Sequence, residues 1–191
     1  MKTQYTVENV LIRPLESAST RFLSSRYYNG KKIIDSLNSP AEAEHWFKVN
    51  ADELSTSPPF PLTEADVSQL QHLRSDIRAL YRSVLEDENN NTSAEINSLL
   101  DDRGLSPCAI AAAPYVRLIF TKDKASPLEE FMGGVIVSAG LTLSPPQVLR
   151  LEQCEGPNCV LFYTKLRDSQ HWCSNTCGNR ARVARHASKH P

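Results

Sequence analysis

Four cysteines near the end of the sequence carry the clearest chemistry of the chain. They lie within 24 residues, in two close pairs, with the spacing Cys154-x4-Cys159-x13-Cys173-x3-Cys177. Structural zinc takes four ligands at the corners of a tetrahedron, and cysteine thiolates suit it. Two close pairs let each of two turns deliver two sulfur atoms, so the pattern predicts one zinc ion per chain. Because four protein ligands leave no open coordination position, this zinc is expected to be structural.

Histidine ligands and disulfide bonds are the alternatives to this assignment. His186-x3-His190 has the histidine spacing of a two-Cys, two-His finger, but only eight residues separate Cys177 from His186, where such fingers use about twelve. Histidine ligation would also leave Cys154 and Cys159 unpaired. The N-terminus MKTQYTVENV lacks a signal-peptide core, which predicts a cytoplasmic protein. Disulfides are rare in the reducing cytoplasm, so clustered thiols there favour metal binding.

The composition is that of a globular protein with an uneven charge distribution. The chain has 191 residues, of which 40% are hydrophobic and 23% charged, and its net charge is −1. Its apolar stretches fall far short of the roughly 20 residues that span a bilayer, so no membrane partner is expected. Residues 147–191 carry seven Lys and Arg against three Asp and Glu, whereas residues 1–146 carry fourteen against nineteen. A basic end on an acidic body indicates a polyanionic partner such as a nucleic acid.

Hydrophobic periodicity and capping residues predict an α+β chain that is mainly helical, with a small sheet. The Ser-Pro-Pro sequence at 144–146 predicts a boundary between an N-terminal domain, residues 1–146, and a C-terminal module, residues 147–191. The pattern favours helices at 21–28, 40–50 and 63–87, and two more that begin near residues 127 and 174. It favours strands at 5–12, 115–121 and 160–164. Thr92 and Glu95 have the spacing of a capping box. In the module, a cysteine turn, a hairpin and a helix that carries the last ligand predict a treble-clef-like arrangement.

The sequence WCSNTCGNR at 172–180, which follows the first cysteine pair and Leu161-Phe162, resembles the CGNR zinc-finger family. The resemblance covers about the last 45 residues, and the Cys-Gly-Asn-Arg string gives the family its name. Members of the family usually carry an N-terminal ABATE domain, which is an α+β unit, and the segment Ala94–Leu100 is similar to part of it. The resemblance implies a transcription regulator, induced by stress, that binds nucleic acid.

The predicted final helix places its basic residues on two different sides. At about 100° per residue, Arg180 shares the side of Cys177 that faces the metal. Arg180 is therefore expected to support the zinc module, together with Asn179. Trp172 is expected to support it as well, with its ring shielding the metal.

The opposite side of this helix is the predicted nucleic-acid contact. Arg182, Arg185 and Lys189 form a single stripe there, and Lys165 and Arg167 in the hairpin would extend it. The alternative is an ordinary solvated helix face, because basic residues suit a helix C-terminus through the helix dipole alone.

Two hypotheses of function follow. The first is a regulator that binds DNA in preference to RNA through the zinc module, while the N-terminal domain binds a small-molecule ligand or pairs with a second copy of the chain. The second is a protein-interaction adaptor, in which the zinc module is only a structural prop. An enzyme is not expected, because the sequence shows no nucleophile–base pair, paired catalytic carboxylates, Gly-rich phosphate loop or His-rich metal motif.

Overall fold

The computed structural model describes residues 4–51, 54, 61–86, 91–112, 115–121 and 125–189, and at 108–121 and 189 it describes the backbone alone. The described helices are α1 (Ala18–Leu23), α2 (Pro40–Val49), α3 (Glu64–Leu85), α4 (Thr92–Asp101), α5 (Pro127–Thr142) and α6 (Asn175–Lys189). The described strands are β1 (Tyr5–Val7), β2 (Val10–Ile12), β3 (Arg26–Tyr28), β4 (Ile33–Asp35), β5 (Ser106–Ala112), β6 (Tyr115–Thr121), β7 (Leu151–Gln153) and β8 (Phe162–Thr164).

The described strands form four separate antiparallel pairs, each made of neighbours along the chain. The predicted strand at 5–12 is such a pair, because the backbone turns back at Glu8 and Asn9, whose φ angles are 47° and 65°. Two successive residues with positive φ join strands through a tight turn that matches their twist. The strand predicted at 115–121 is confirmed as β6.

The helix predicted at 21–28 is wrong. The helix α1 begins earlier, where the Ser17 side chain caps it, and it ends at Leu23. Residues 26–28 then form β3, in which Tyr27 pairs with Ile34 and Tyr28 with Ile33. Aromatic and β-branched side chains fit a pleated, half-buried surface, and here the pairing of β3 with β4 overrides the helical pattern.

The main core forms around α3, which packs against α1, α2, α4, α5 and β7. A capping box between Thr63 and Asp66 begins the predicted helix, which ends at Leu85. Beside α3, four rings meet edge to face, with centroids 4.8 to 6.4 Å apart: Phe22, Trp46, Phe47 and Phe131. Such pairs add about 0.5–1.5 kcal/mol each beyond the burial of their area.

The helices α2, α4 and α5 begin near the predicted positions, but one predicted cap is wrong. The N-cap of α4 is Asn91, and no side chain caps the helix, so Thr92 and Glu95 form no capping box. Ser126 and Glu129 do form one at the start of α5. The Gly133-Gly134 pair does not interrupt α5, because its neighbours Met132 and Val135 are buried in the core.

The predicted α+β class is confirmed, with small sheets among a majority of helices. None of the described helices combines the length and apolar composition that a bilayer crossing requires. Residues from both predicted domains share the buried clusters: Leu151 and Phe162 belong to the main core. A second cluster joins Leu11 and Tyr27 to three of the cysteines. The boundary at 146, like the treble-clef assignment, stays a prediction.

Candidate metal centre

The first cysteine pair lies at the tip of the β7–β8 hairpin. The pairing of Gln153 with Phe162 brings the strands together, and the Cys154 amide then donates to the Leu161 carbonyl at 2.9 Å. Within the turn, the Cys159 amide donates to the Gly156 carbonyl at 2.9 Å, and Asn158 adopts a φ of 60°. The hairpin therefore forms around the cysteine turn. The sequence predicts a hairpin after that turn, with Lys165 and Arg167 in it.

The second pair lies at the start of α6. Ser174 precedes the helix and its hydroxyl accepts a hydrogen bond from the Cys177 amide at 3.2 Å, the usual contact of an N-cap. Capping thereby fixes the first turn of α6 and the position of the Cys177 sulfur. Cys173 lies just outside the helix, and its amide donates to the Cys154 sulfur at 3.3 Å.

The four sulfur atoms lie within 4.8 Å of one another. The measured Sγ–Sγ distances are 3.9 Å between Cys159 and Cys173, 3.5 Å between Cys173 and Cys177, and 3.8 Å between Cys177 and Cys159. A tetrahedron with zinc–sulfur bonds of about 2.3 Å has edges of about 3.8 Å. The four cysteines therefore form a single zinc site, as the sequence predicts, and three of them are buried.

The closeness of the four thiols shifts their pKa values and makes the site favour a cation. Hydrogen bonding with Cys159 lowers the pKa of Cys154 to about 7, and hydrogen bonding with Cys154 lowers that of Cys177. Hydrogen bonding with Cys154 raises the pKa values of Cys159 and Cys173. Thiolates this close repel one another, so all four lose their protons together only when a positive charge offsets the repulsion. Zn²⁺ supplies that charge.

The turn between the first two cysteines requires glycine at position 156. A Cβ atom there would lie 2.9 Å from the Cβ of Cys177 and 3.4 Å from the sulfur of Cys154. We expect Gly156→Ala to push the first turn away from α6, costing roughly 1–3 kcal/mol, and to weaken zinc binding. A competition titration against a chromogenic chelator measures the loss.

The matched control for that substitution is Gly134→Ala. Among the described residues, no atom outside the neighbouring turns of α5 lies within 4 Å of a Cβ built there. We expect unchanged zinc affinity and a gain in stability of up to about 1 kcal/mol, since alanine favours helix. Equal zinc affinity of Gly156→Ala and the wild type would contradict the close approach at Gly156.

Arg180 lies between the metal centre and the N-terminal part of the chain. Its Nη2 donates to the Cys177 sulfur at 3.0 Å, and its guanidinium carbon is 4.7 Å from the centroid of the Tyr28 ring. Four thiolates exceed the charge of one Zn²⁺, so a cation and N–H donors beside the sulfur atoms stabilise the loaded site. The amides of Gly156 and Cys173 donate to Cys154 in the same way.

Further contacts attach β8 to the body of the protein. Arg13 is 1% exposed, and its Nη1 donates to the Phe162 carbonyl at 2.7 Å. Its Nη2 pairs with Glu16, whose other carboxylate oxygen accepts from the amide and hydroxyl of Thr164. On α3, Arg78 donates to the Val160 carbonyl at 2.9 Å, and burial lowers its pKa to about 10, so it remains charged at neutral pH. Sequence reasoning missed these anchors, because the partners are far apart in the chain.

The ring of Trp172 lies against α6 on the side that carries the basic stripe. A Cβ at Gly178 would be 3.1 Å from the Trp172 ring, so the glycine gives the indole room to approach the helix. The guanidinium carbon of Arg185 lies 5.7 Å from the centroid of the same ring. Trp172 also packs against the cysteine cluster, and it remains partly exposed.

The other predicted contact residues differ in their surroundings. Arg182 is exposed and donates to the side chain of Asn179, which is exposed as well. Arg167 is exposed, whereas the ammonium of Lys165 pairs with Glu152. Lys189 ends α6, and its side chain lies outside the described residues. Of the predicted set, Arg167, Arg182 and Arg185 thus present exposed guanidinium groups near Trp172 or in the groove beside it.

A groove of about 710 Å³ lies between β1, the segment before Trp172 and the first turns of α6. We call it the α6 groove, and its lining includes Tyr5, Arg167, His171, Trp172, Thr176 and Arg182. No carboxylate is among the described residues that line it. The groove therefore combines two cationic side chains with three aromatic rings, although the whole chain is slightly acidic.

Comparison with known proteins identifies part of the chain. The family model of the CGNR zinc finger matches residues 150–190. The match contains all four sulfur ligands, the α6 helix and the residues that line most of the groove. It does not reach the preceding residues, so the ABATE domain stays a prediction. No curated protein matches the sequence.

Proposed function

We propose that the zinc module binds nucleic acid, DNA in preference to RNA, and that the protein regulates transcription through this contact. The observation that supports the proposal is the α6 groove, whose described lining carries arginines and no carboxylate. Arginine guanidinium groups suit phosphate oxygens, because their N–H donors match the geometry of the anion. The zinc has a structural role here, since it fixes α6 and the segment before Trp172 on either side of the groove.

Binding to phosphates predicts a strong dependence on salt. The acidic residues 1–146 repel a polyanion at long range, so the local positive charge of the module has to outweigh them. Each phosphate contact releases counterions, and the logarithm of the binding constant falls linearly with the logarithm of the salt concentration. A small number of arginine contacts gives weak binding, which a homodimer would strengthen by presenting two modules to one target.

A double variant tests the basic face of α6. We expect Arg182→Ala/Arg185→Ala to weaken binding to all sequences alike and to reduce the salt slope by about 2, because two phosphate contacts are lost. Fluorescence anisotropy with labelled oligonucleotides at several salt concentrations measures both effects. Lys31→Ala/Lys32→Ala is the matched control, since it removes the same charge from an exposed turn that does not line the groove.

Two results would count against the assigned basic face or the proposed function. Binding by the wild type with equal affinity and slope in both double variants would contradict the assignment of the basic face. Failure of the wild type to bind duplex or single-stranded DNA or RNA at low salt would overturn the proposed function.

The adaptor hypothesis has one observation in its favour. The strand β1 is exposed along its whole length at the edge of a two-stranded sheet, and Tyr5 and Val7 are 41% and 40% exposed. An exposed edge offers unpaired backbone groups to another chain. Copurification of a protein partner that persists at high salt, without nucleic acid, would favour this function.

A further inference from the structure

We infer that the α6 groove binds a single-stranded segment of nucleic acid and stacks one unpaired base on Trp172. This inference rests on the proposed nucleic-acid binding and adds to it the form of the target. Proteins that bind single strands combine a basic groove along the backbone with aromatic rings on which bases stack. The described lining of the groove has both parts, in Arg167 and Arg182 and in the rings of Tyr5, His171 and Trp172.

The position of Trp172 favours an unpaired base over a base in a duplex. The indole lies in the groove against Gly178, and part of it remains exposed to solvent. Inside a duplex, both faces of a base are covered by its neighbours in the stack. A base offers a face to a ring in a groove only when it is unstacked, as in a single strand or a loop.

The exposed arginines around the Trp172 ring are placed to contact the phosphate groups of a bound strand. Arg185 lies over the indole at 5.7 Å, and it is exposed, so its contact with the ring is a weak one. Stacking of a base is stronger than an exposed cation–π contact, so a base displaces the guanidinium from the ring. Arg185 then lies at the side of the base, where it meets the phosphate, while Arg182 and Arg167 extend the positive charge along the groove.

The two tryptophans of the chain make the test direct. Trp46 is 1% exposed in the main core, whereas Trp172 is partly exposed in the groove. A base stacked on Trp172 quenches its emission and leaves that of Trp46 unchanged. The experiment titrates the zinc-loaded full chain with a mixed-sequence single strand of about 16 nucleotides, the length of a larger single-strand site. The same strand annealed to its complement serves as the duplex, and anisotropy is recorded together with tryptophan emission.

Two substitutions of Trp172 separate stacking from folding. Trp172→Phe keeps a ring, so single-strand affinity should stay within about threefold, while the quenching disappears. Trp172→Leu keeps an apolar side chain over Gly178 but removes the ring. It should weaken single-strand binding roughly 5- to 150-fold and leave duplex binding unchanged. Zinc content and circular dichroism establish that each variant is folded.

The possible results distinguish the single-strand inference from the proposed nucleic-acid binding. Quenching of the wild type by the single strand, with the expected loss in Trp172→Leu, supports the inference. Nucleic-acid binding without quenching, or with equal single-strand affinity in Trp172→Leu, overturns it and leaves the proposed function intact. If Trp172→Leu loses its zinc, the quenching titration of the wild type and Trp172→Phe decides. Absence of binding to any of the oligonucleotides overturns the proposed function itself.

Discussion

Replacing Cys173 by alanine is expected to remove the zinc and to destabilise the whole chain. Structural zinc binds with an apparent free energy of about 10–16 kcal/mol in zinc-finger peptides, which is as large as the total stability of most domains. The cysteines share a buried cluster with Leu11 and Tyr27, so the loss reaches the N-terminal strands. We expect the melting midpoint to fall by at least about 10 °C, and a chelator to have the same effect on the wild type.

Metal analysis and thermal melting followed by circular dichroism measure this result. The wild type should contain one zinc per chain and Cys173→Ala none. Cys108→Ala is the matched control, because Cys108 lies in β5, outside residues 150–190 that contain the four ligands, and this variant should keep its zinc. A wild type that is folded with four free thiols and no metal would contradict the zinc site.

The second large effect is expected at Arg13. The substitution Arg13→Met removes a buried guanidinium that pairs with Glu16 and donates to the carbonyl of Phe162. Each partner would lose its hydrogen bond from Arg13 in a buried position, since Arg13 is 1% and the Glu16 side chain 9% exposed. Removing one member of a buried ion pair costs about 3–5 kcal/mol. Urea denaturation should show this loss as a lower midpoint with little change in slope.

Arg150→Met is the control for this prediction. Arg150 is exposed just before β7, so its loss should change the stability by no more than about 0.5 kcal/mol. Both variants should still bind zinc at saturating metal, because neither residue contacts a sulfur atom directly in the described structure. A loss below about 1 kcal/mol in Arg13→Met would mean that other contacts hold β8 in place.

The sequence predicts the metal centre well, because its ligands are close in the chain. Two turns bring Cys154 to Cys159 and Cys173 to Cys177, and the residues around them carry local signals such as the cap at Ser174. The side of α6 that carries Arg180 also follows from helical periodicity, since Arg180 lies one turn after Cys177. The spacing of residues along the sequence is therefore enough to predict most of the metal site.

The contacts around that centre were harder to predict, because they depend on the tertiary fold. The contact of Arg180 with Tyr28 and that of Arg13 with Phe162 join residues far apart in sequence. The helix predicted at 21–28 fails for a different reason, because residues 26–28 pair with the nearby strand β4, and this pairing overrides the helical pattern. The position of Trp172 had a local signal, since Gly178 lies on the basic side of the helix, and the ring packs against that glycine as well as against the cysteine cluster.

The link between Arg13 and Phe162 also sets the earliest time at which β8 can attach to the N-terminal strands during synthesis. The two residues are 149 positions apart, so the partner of Arg13 does not exist until most of the chain has been translated. At about 5–20 residues per second, that interval is roughly 7 to 30 s. During this time Leu11 and Tyr27 lack the cysteine cluster that covers them. A ribosome that stalls before residue 154, or a cell short of zinc, leaves this apolar surface open to chaperones and proteases.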